Sequence, residues 1–204
     1  MFIGITQRLI EEEKYKELRE ALALEWGDLF SNSALFKDFI PLALSYEIDF
    51  KRYAPYLKAV ILSGGNDLSI FKESFLSKKR DIYEEKIIKY CLKTNTPLLG
   101  ICRGAQMIAY FFNSSLQMLS NHVGNHKVIL NDKNSFISNS FHNYAIVNLG
   151  EDLEILARAE DQSIEAFRHK DKNIFGLMWH IERKNGLNNT KILKQWLNTI
   201  KENK

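Results

Sequence analysis

The chain has 204 residues, 45% of them hydrophobic and 26% charged, with a net charge of +3 at neutral pH. Such a composition suits a soluble globular protein of about one domain, with enough chain to bury a real core. A charge this small and scattered gives no footing for nucleic acid, no apolar run reaches the length of a membrane span, and two cysteines make no disulfide framework.

Met1–Thr6 is too short for the apolar core of a signal peptide and lacks a basic leader. A reducing, cytoplasmic location is the default expectation. Residues 2–6 predict a first strand, buried on both faces. From Tyr15 onwards Leu18, Leu22, Trp26 and Leu29 recur at helical spacing, so an amphipathic helix is expected, its charged face running from Lys14 to Glu25. Phe39–Leu44 predicts a second strand, which Pro41 moves towards a sheet edge. Ala59–Leu62 is a third and runs straight into Ser63-Gly64-Gly65-Asn66-Asp67. Lys78-Lys79-Arg80 is expected at the solvated start of a helix whose inner face carries Tyr83, Ile87, Tyr90 and Cys91. Cys91 there is a buried small hydrophobe.

The next stretch, Pro97-Leu98-Leu99-Gly100-Ile101-Cys102-Arg103-Gly104-Ala105-Gln106, is an apolar strand that passes into a helix continuing through Met107, Ile108, Tyr110 and Phe111. Strands and helices alternate up to residue 113, the pattern of parallel βαβ units. Short β-like pieces then appear at 127–130, 145–147, 154–157, 164–167 and 174–179. A last helix carries Ile192, Leu193, Trp196, Leu197 and Ile200 inward. No linker or repeat divides the chain. The expected fold is a mixed α/β sheet, parallel at its centre and flanked by helices, with antiparallel additions, in a single domain over residues 1–204.

In such sheets ligands bind outside the carboxyl ends of the strands. Cys102, with Gly100 and Gly104 on either side, has the pattern of a nucleophile elbow with Cys in place of Ser. A helix N-terminus lowers a thiol's pKa. A cysteine at a strand end can also be plain packing, and only a partner base separates the two. His169 lies in Arg168-His169-Lys170-Asp171-Lys172, a charged hairpin tip, and is expected in solvent. His122 and His126 have the i, i+4 spacing of a helical metal pair, but Gly124 lies between them and no third ligand is near in sequence, so no metal is expected. His180 follows an apolar strand, and Glu182 falls on the same side of an extended segment. That carboxylate could hold the imidazole's tautomer for catalysis; as a surface pair it would mean little. Glycines 64 and 65 could turn backbone N–H groups, with that of Arg103, towards a reacting carbonyl, or simply form a tight turn.

Together the Cys102 elbow, Leu62–Asp67, Ser140-Phe141-His142 and His180-Ile181-Glu182 resemble the class I glutamine amidotransferase-like proteins, in order along most of the chain. The closer likeness is to their stand-alone γ-glutamyl hydrolase branch. The resemblance implies Cys102 as nucleophile, His180 as base, Glu182 as its orienting partner, and an oxyanion hole from the backbone of Gly64, Gly65 and Arg103. It implies Asn66, Gln106, Ser140, Phe141 and His142 as substrate contacts. It implies no cofactor, no metal and no obligatory protein partner. The substrate would be a small γ-glutamyl amide; within the branch the chain is most similar to hydrolases of a nucleotide-linked amide used to decorate a bacterial capsule with phosphoramidate. Two departures stand out. Met178 and Ile181 replace the glutamine and proline usual around the histidine, and Tyr144 replaces a glutamine after Ser-x-His. Alternatives are the glutaminase subunit of an amidotransferase, a γ-glutamyl-γ-aminobutyrate-type hydrolase, or a binding module that keeps the fold. Thr6-Gln7-Arg8-Leu9 after the first strand resembles the hydrolases rather than the subunits.

Overall fold

The computed structural model describes residues 1–119 and 122–202. In chain order they form β1 (Phe2–Thr6), β2 (Arg8–Glu12), β3 (Glu17–Ala21), α1 (Leu24–Asn32), β4 (Ile40–Leu44), α2 (Phe50–Tyr53), β5 (Leu57–Leu62), α3 (Phe75–Thr94), β6 (Leu98–Ile101) and α4 (Arg103–Phe111). There follow β7 (Ser115–Met118), β8 (Val123–Leu130), β9 (Ser135–Phe141), β10 (Tyr144–Asn148), β11 (Leu153–Ala159), β12 (Ile164–His169), β13 (Ile174–Leu177) and α5 (Lys191–Glu202).

The main sheet runs β4-β1-β5-β6-β13-β12-β11-β8-β9. Its first five strands are parallel, and from β12 onwards each pairs antiparallel with its neighbour. The mixed sheet expected from the sequence is therefore present. Pro41 lies on β4, the edge strand, where a missing N–H costs no ladder bond.

Alternation along the central strands sends side chains to two separate cores. Ala59 and Ile61 of β5 pack on one face with Trp26 and Leu29 of α1 and Trp196 and Leu197 of α5. Val60 and Leu62 pack on the other with Ile87 and Cys91 of α3 and Met107 and Ile108 of α4. The register sets Leu62 beside Gly100, Gly100 beside Gly176, and Ile101 beside Leu177, so three strands end level.

Several expectations are corrected. No helix begins at Tyr15: β2 and β3 form a hairpin, pairing Leu9 with Glu20, and α1 starts only at Leu24. The helical period is met by residues with no common core, since Tyr15 and Leu18 are exposed while Trp26 and Leu29 are buried. β7 and β9 are additions to the expected strands; β9 buries Ser138, Asn139 and Ser140, polar residues that give no hydrophobic alternation. β13 stops at Leu177, short of His180. Arg80 is fully buried rather than solvated. His169 is also buried, its Nδ1 accepting from the N–H groups of Asp171 and Lys172 and its ring edge-on to Phe112.

Candidate active site

The level ends of β5, β6 and β13 deliver Ser63–Asp67, Cys102 and Met178–Glu182 to one rim of the sheet. Cys102 has φ +52° and ψ −108° immediately before α4. A non-glycine residue held there stores roughly 1–3 kcal/mol of strain. Its N–H donates to Leu177 O (2.8 Å), and the N–H of Gln106 donates to its carbonyl (3.0 Å). The flanking glycines serve close packing, not unusual dihedrals. A Cβ on Gly100 would lie 2.5 Å from the Gly104 carbonyl carbon, and one on Gly104 would overlap Leu62 O. Their absence lets α4 press onto β5 and β6, and that contact holds the turn at Cys102 in place.

His180 is buried and fixed on several sides. Its Nδ1–H donates to Glu182 Oε1 at 2.6 Å. The pair meets through a turn closed by the Arg183 N–H on His180 O (3.3 Å), not along an extended strand. Asn139 of β9 accepts from the His180 N–H (2.9 Å) and donates to the carbonyls of His180 (2.9 Å) and Lys184 (2.9 Å). Phe141 meets the ring edge-on at 5.6 Å. Burial pushes the imidazole's pKa down, but the Cys102 and Glu182 side chains outweigh it and raise it to about 9. This ring sits beside Cys102 at the head of α4.

The Gly64-Gly65 loop is organised by Arg80 of α3. Its guanidinium donates to Ser63 O (2.7 Å), Gly64 O (3.0 Å) and Gly65 O. In a trans peptide the N–H points opposite the C=O, so the N–H groups of Gly64 and Gly65 are turned away from Arg80. Gly65 lines the cleft with φ +82°. A Cβ on Gly64 would come within 2.7 Å of His180 Cε1. Arg80 also donates to Glu84 Oε1 (3.0 Å), which accepts from Thr6 Oγ1 (2.9 Å), itself the acceptor of the Ser63 N–H (3.0 Å). The Arg103 side chain points into this interior and pairs with Glu84 and Asp81. Burial would raise the Glu84 carboxyl, but Arg103 and Arg80 hold it below the usual range. Neither Arg80 nor Asn139 was among the sequence candidates.

A cleft of about 320 Å³ opens over these groups, lined by Cys102, Gly65, Gln106, His142, Tyr144 and His180, with Asp67, Arg8 and Arg183 also on its wall. A second cavity, about 220 Å³, shares Arg8, Gly65, His180 and Arg183 and continues to Ala21, Leu22, Ala23 and Trp26. Gln106 Nε2 donates to Tyr144 O (2.8 Å). Tyr144 stacks on Phe71, ring centroids 3.7 Å apart. Burial pushes the His142 imidazole down to about 4, against the pull of Glu165. Two expected substrate contacts are otherwise engaged. The Asn66 side chain lines the cleft but is tied to both N–H and C=O of Leu9 (3.0 Å each), and Ser140 Oγ donates to His122 O. His122 and His126 do have neighbours of ligand type: β12 brings Glu165, and the β9–β10 connection brings His142. Sequence distance hid both.

The family described as glutamine amidotransferase class-I matches residues 47–200. A γ-glutamyl-CDP-amidate hydrolase of Campylobacter jejuni is 63% identical over 202 residues, covering 99% of this chain and all of that one. A glutamine-hydrolyzing GMP synthase subunit of Picrophilus torridus is 32% identical over 68% of this chain and 74% of its own. Among solved structures, a protein assigned as a GMP synthase subunit from Thermoplasma acidophilum superposes with a TM-score of 0.73 at 21% identity, over 99% of this chain and 94% of its own.

Proposed function

The chain belongs to the class I glutamine amidotransferase family, and we propose that it is a cysteine-dependent hydrolase of γ-glutamyl amides, with γ-glutamyl-CDP-amidate as its substrate. The observation that carries this reading is the full-length likeness to the Campylobacter jejuni hydrolase. The chemistry is supported by an imidazole oriented by Glu182 beside a cysteine at a helix N-terminus.

In the proposed reaction the Cys102 thiolate attacks the γ-carbonyl carbon. The oxyanion is received by the N–H groups of Gly64, Gly65 and Arg103, donors of a kind whose single loss costs about 10²–10³ in turnover. The C–N bond then breaks, the nitrogen takes the proton from the His180 imidazolium, and cytidine diphosphoramidate leaves. The neutral imidazole next takes a proton from water, hydroxide attacks the thioester, and glutamate is released with the thiolate restored. Glu182 keeps Nε2 towards the reacting atoms throughout. Asp67 is an acidic group on the cleft wall suited to the glutamyl ammonium, and Gln106 and the 141–144 segment shape the remaining wall. Such a reaction suits the phosphoramidate decoration of a capsule.

The test is glutamate release by the purified chain from γ-glutamyl-CDP-amidate, glutamine and γ-glutamyl-γ-aminobutyrate. Turnover of the first should exceed the others, and Cys102→Ala should abolish it with the fold intact. Silence on every amide until a synthase is added would replace the hydrolase with a glutaminase subunit.

A further inference from the structure

Beside the cleft, sharing only His142 with its lining, lies a cluster to which the proposed hydrolysis assigns no chemical step. His122 Nε2–H donates to Asp161 Oδ2 at 2.7 Å. Its other nitrogen, Nδ1, lies 3.9 Å from Glu165 Oε1. His142 Nδ1–H donates to Tyr144 O at 3.1 Å, which leaves the Nε2 lone pair 3.7 Å from the same oxygen. His126 Nε2 is 3.2 Å from Glu165 Oε2. None of these four facing groups has a hydrogen bond at the atoms named, and His122 and His142 are 4% exposed and Glu165 0%. Three imidazoles thus turn towards one buried carboxylate whose oxygens make no hydrogen bond, an arrangement that a bound cation would satisfy.

We propose that His122 Nδ1, His126 Nε2 and the Glu165 carboxylate, with His142 Nε2 as fourth ligand, bind a zinc ion. The His122, His126 and Glu165 donor atoms all lie within 4.8 Å of one another. Zinc bonds of about 2.0–2.1 Å in a tetrahedron set ligand atoms about 3.4 Å apart, close to the separations from Glu165 seen here. Imidazole-rich sets with one carboxylate favour zinc over magnesium or calcium. Asp161 supplies the outer carboxylate that usually fixes a metal-binding histidine's tautomer. Gly124, at φ +120°, bends the chain between His122 and His126 so that their ring centroids approach to 5.2 Å. The ion would clamp β8, β12 and the β9–β10 connection, and so hold His142 and Tyr144 in the cleft wall.

The Cys102→Ser variant removes the competing thiol–imidazole site and is the protein to use. Stripped by chelator and dialysed against micromolar zinc, it should take up one equivalent and gain several degrees in Tm. Glu165→Gln and His126→Asn in the same background should bind none, with circular dichroism confirming the fold. Asp161→Asn should bind about 10–100-fold more weakly. Cobalt in place of zinc should give the visible bands of a four-coordinate site without thiolate charge transfer, a readout that stands even if a variant fails to fold. No zinc uptake, uptake undiminished in both ligand variants, or cobalt spectra carrying a thiolate signature would each overturn the proposal, the first leaving a proton as the bridging cation.

Discussion

His180 stands where three separate restraints meet, and each can be broken alone. Gly64 leaves only enough room for the ring: Gly64→Ala places a methyl against Cε1 and must push the imidazole aside. Misplacement of about 1 Å costs roughly 10²-fold in rate, so kcat/KM should fall by about that factor with little change in Tm. Glu182→Gln keeps the size of the side chain but not its charge. Turnover should drop about 10³–10⁴-fold, as when a triad carboxylate loses its hold on the tautomer. The raised His180 pKa also has a thermodynamic sign. A histidine whose folded pKa lies above its unfolded value adds stability below about 6.5, and that stability is lost as pH climbs towards about 9. Urea midpoints of the native chain should therefore decline between pH 7 and pH 9, and less steeply in Glu182→Gln; parallel slopes would remove Glu182 as a cause of the shift. These residues were legible in the sequence because each is adjacent to its own signal: glycines around a cysteine, a carboxylate two positions from a histidine.

Between elements the restraints come from residues with no such local mark. Arg80 sits in a run of basic residues on α3, and only the packed helix reveals that its guanidinium gathers three carbonyls from the loop after β5. Asn139 sits in a serine-rich strand that shows no apolar alternation, yet it ties β9 to the turn carrying His180 and Lys184. Asn139→Ala strips three hydrogen bonds from buried or half-buried backbone groups, each worth about 1–3 kcal/mol when left unmade. Unfolding in urea should show a loss of about 3 kcal/mol or more, and kcat should fall because the His180 turn loosens. A stable but inactive variant would instead mean that Asn139 acts on the site alone. The β2–β3 hairpin escapes the sequence for a related reason: a helical period over Tyr15–Leu29 can be satisfied by residues that share no core, and nothing local distinguishes that coincidence from a buried face.

At the scale of the whole molecule, the cleft is built from opposite ends of the chain. β2 brings Arg8, whose stem lies over Gly65, while the turn after β13 brings Arg183, which stacks over Phe141 at 4.5 Å. Among the described residues Arg8 forms no ion pair, and both guanidinium groups border the two adjoining cavities. The sequence contains 28 basic residues and gives no reason to single out these two; only folding sets them on one rim. A diphosphate leaving group is the feature that would engage them, since guanidinium groups match phosphate oxygens in pairs. Arg8→Ala and Arg183→Ala should therefore raise KM for γ-glutamyl-CDP-amidate about 10-fold or more, on the scale of a charge-assisted hydrogen bond, while leaving KM for an uncharged γ-glutamyl anilide nearly unchanged. Added salt should raise KM for the nucleotide substrate in the native chain and do so less in the variants. Equal effects on both substrates would place the arginines on the glutamyl side of the cleft, and the diphosphate would then have to be met elsewhere.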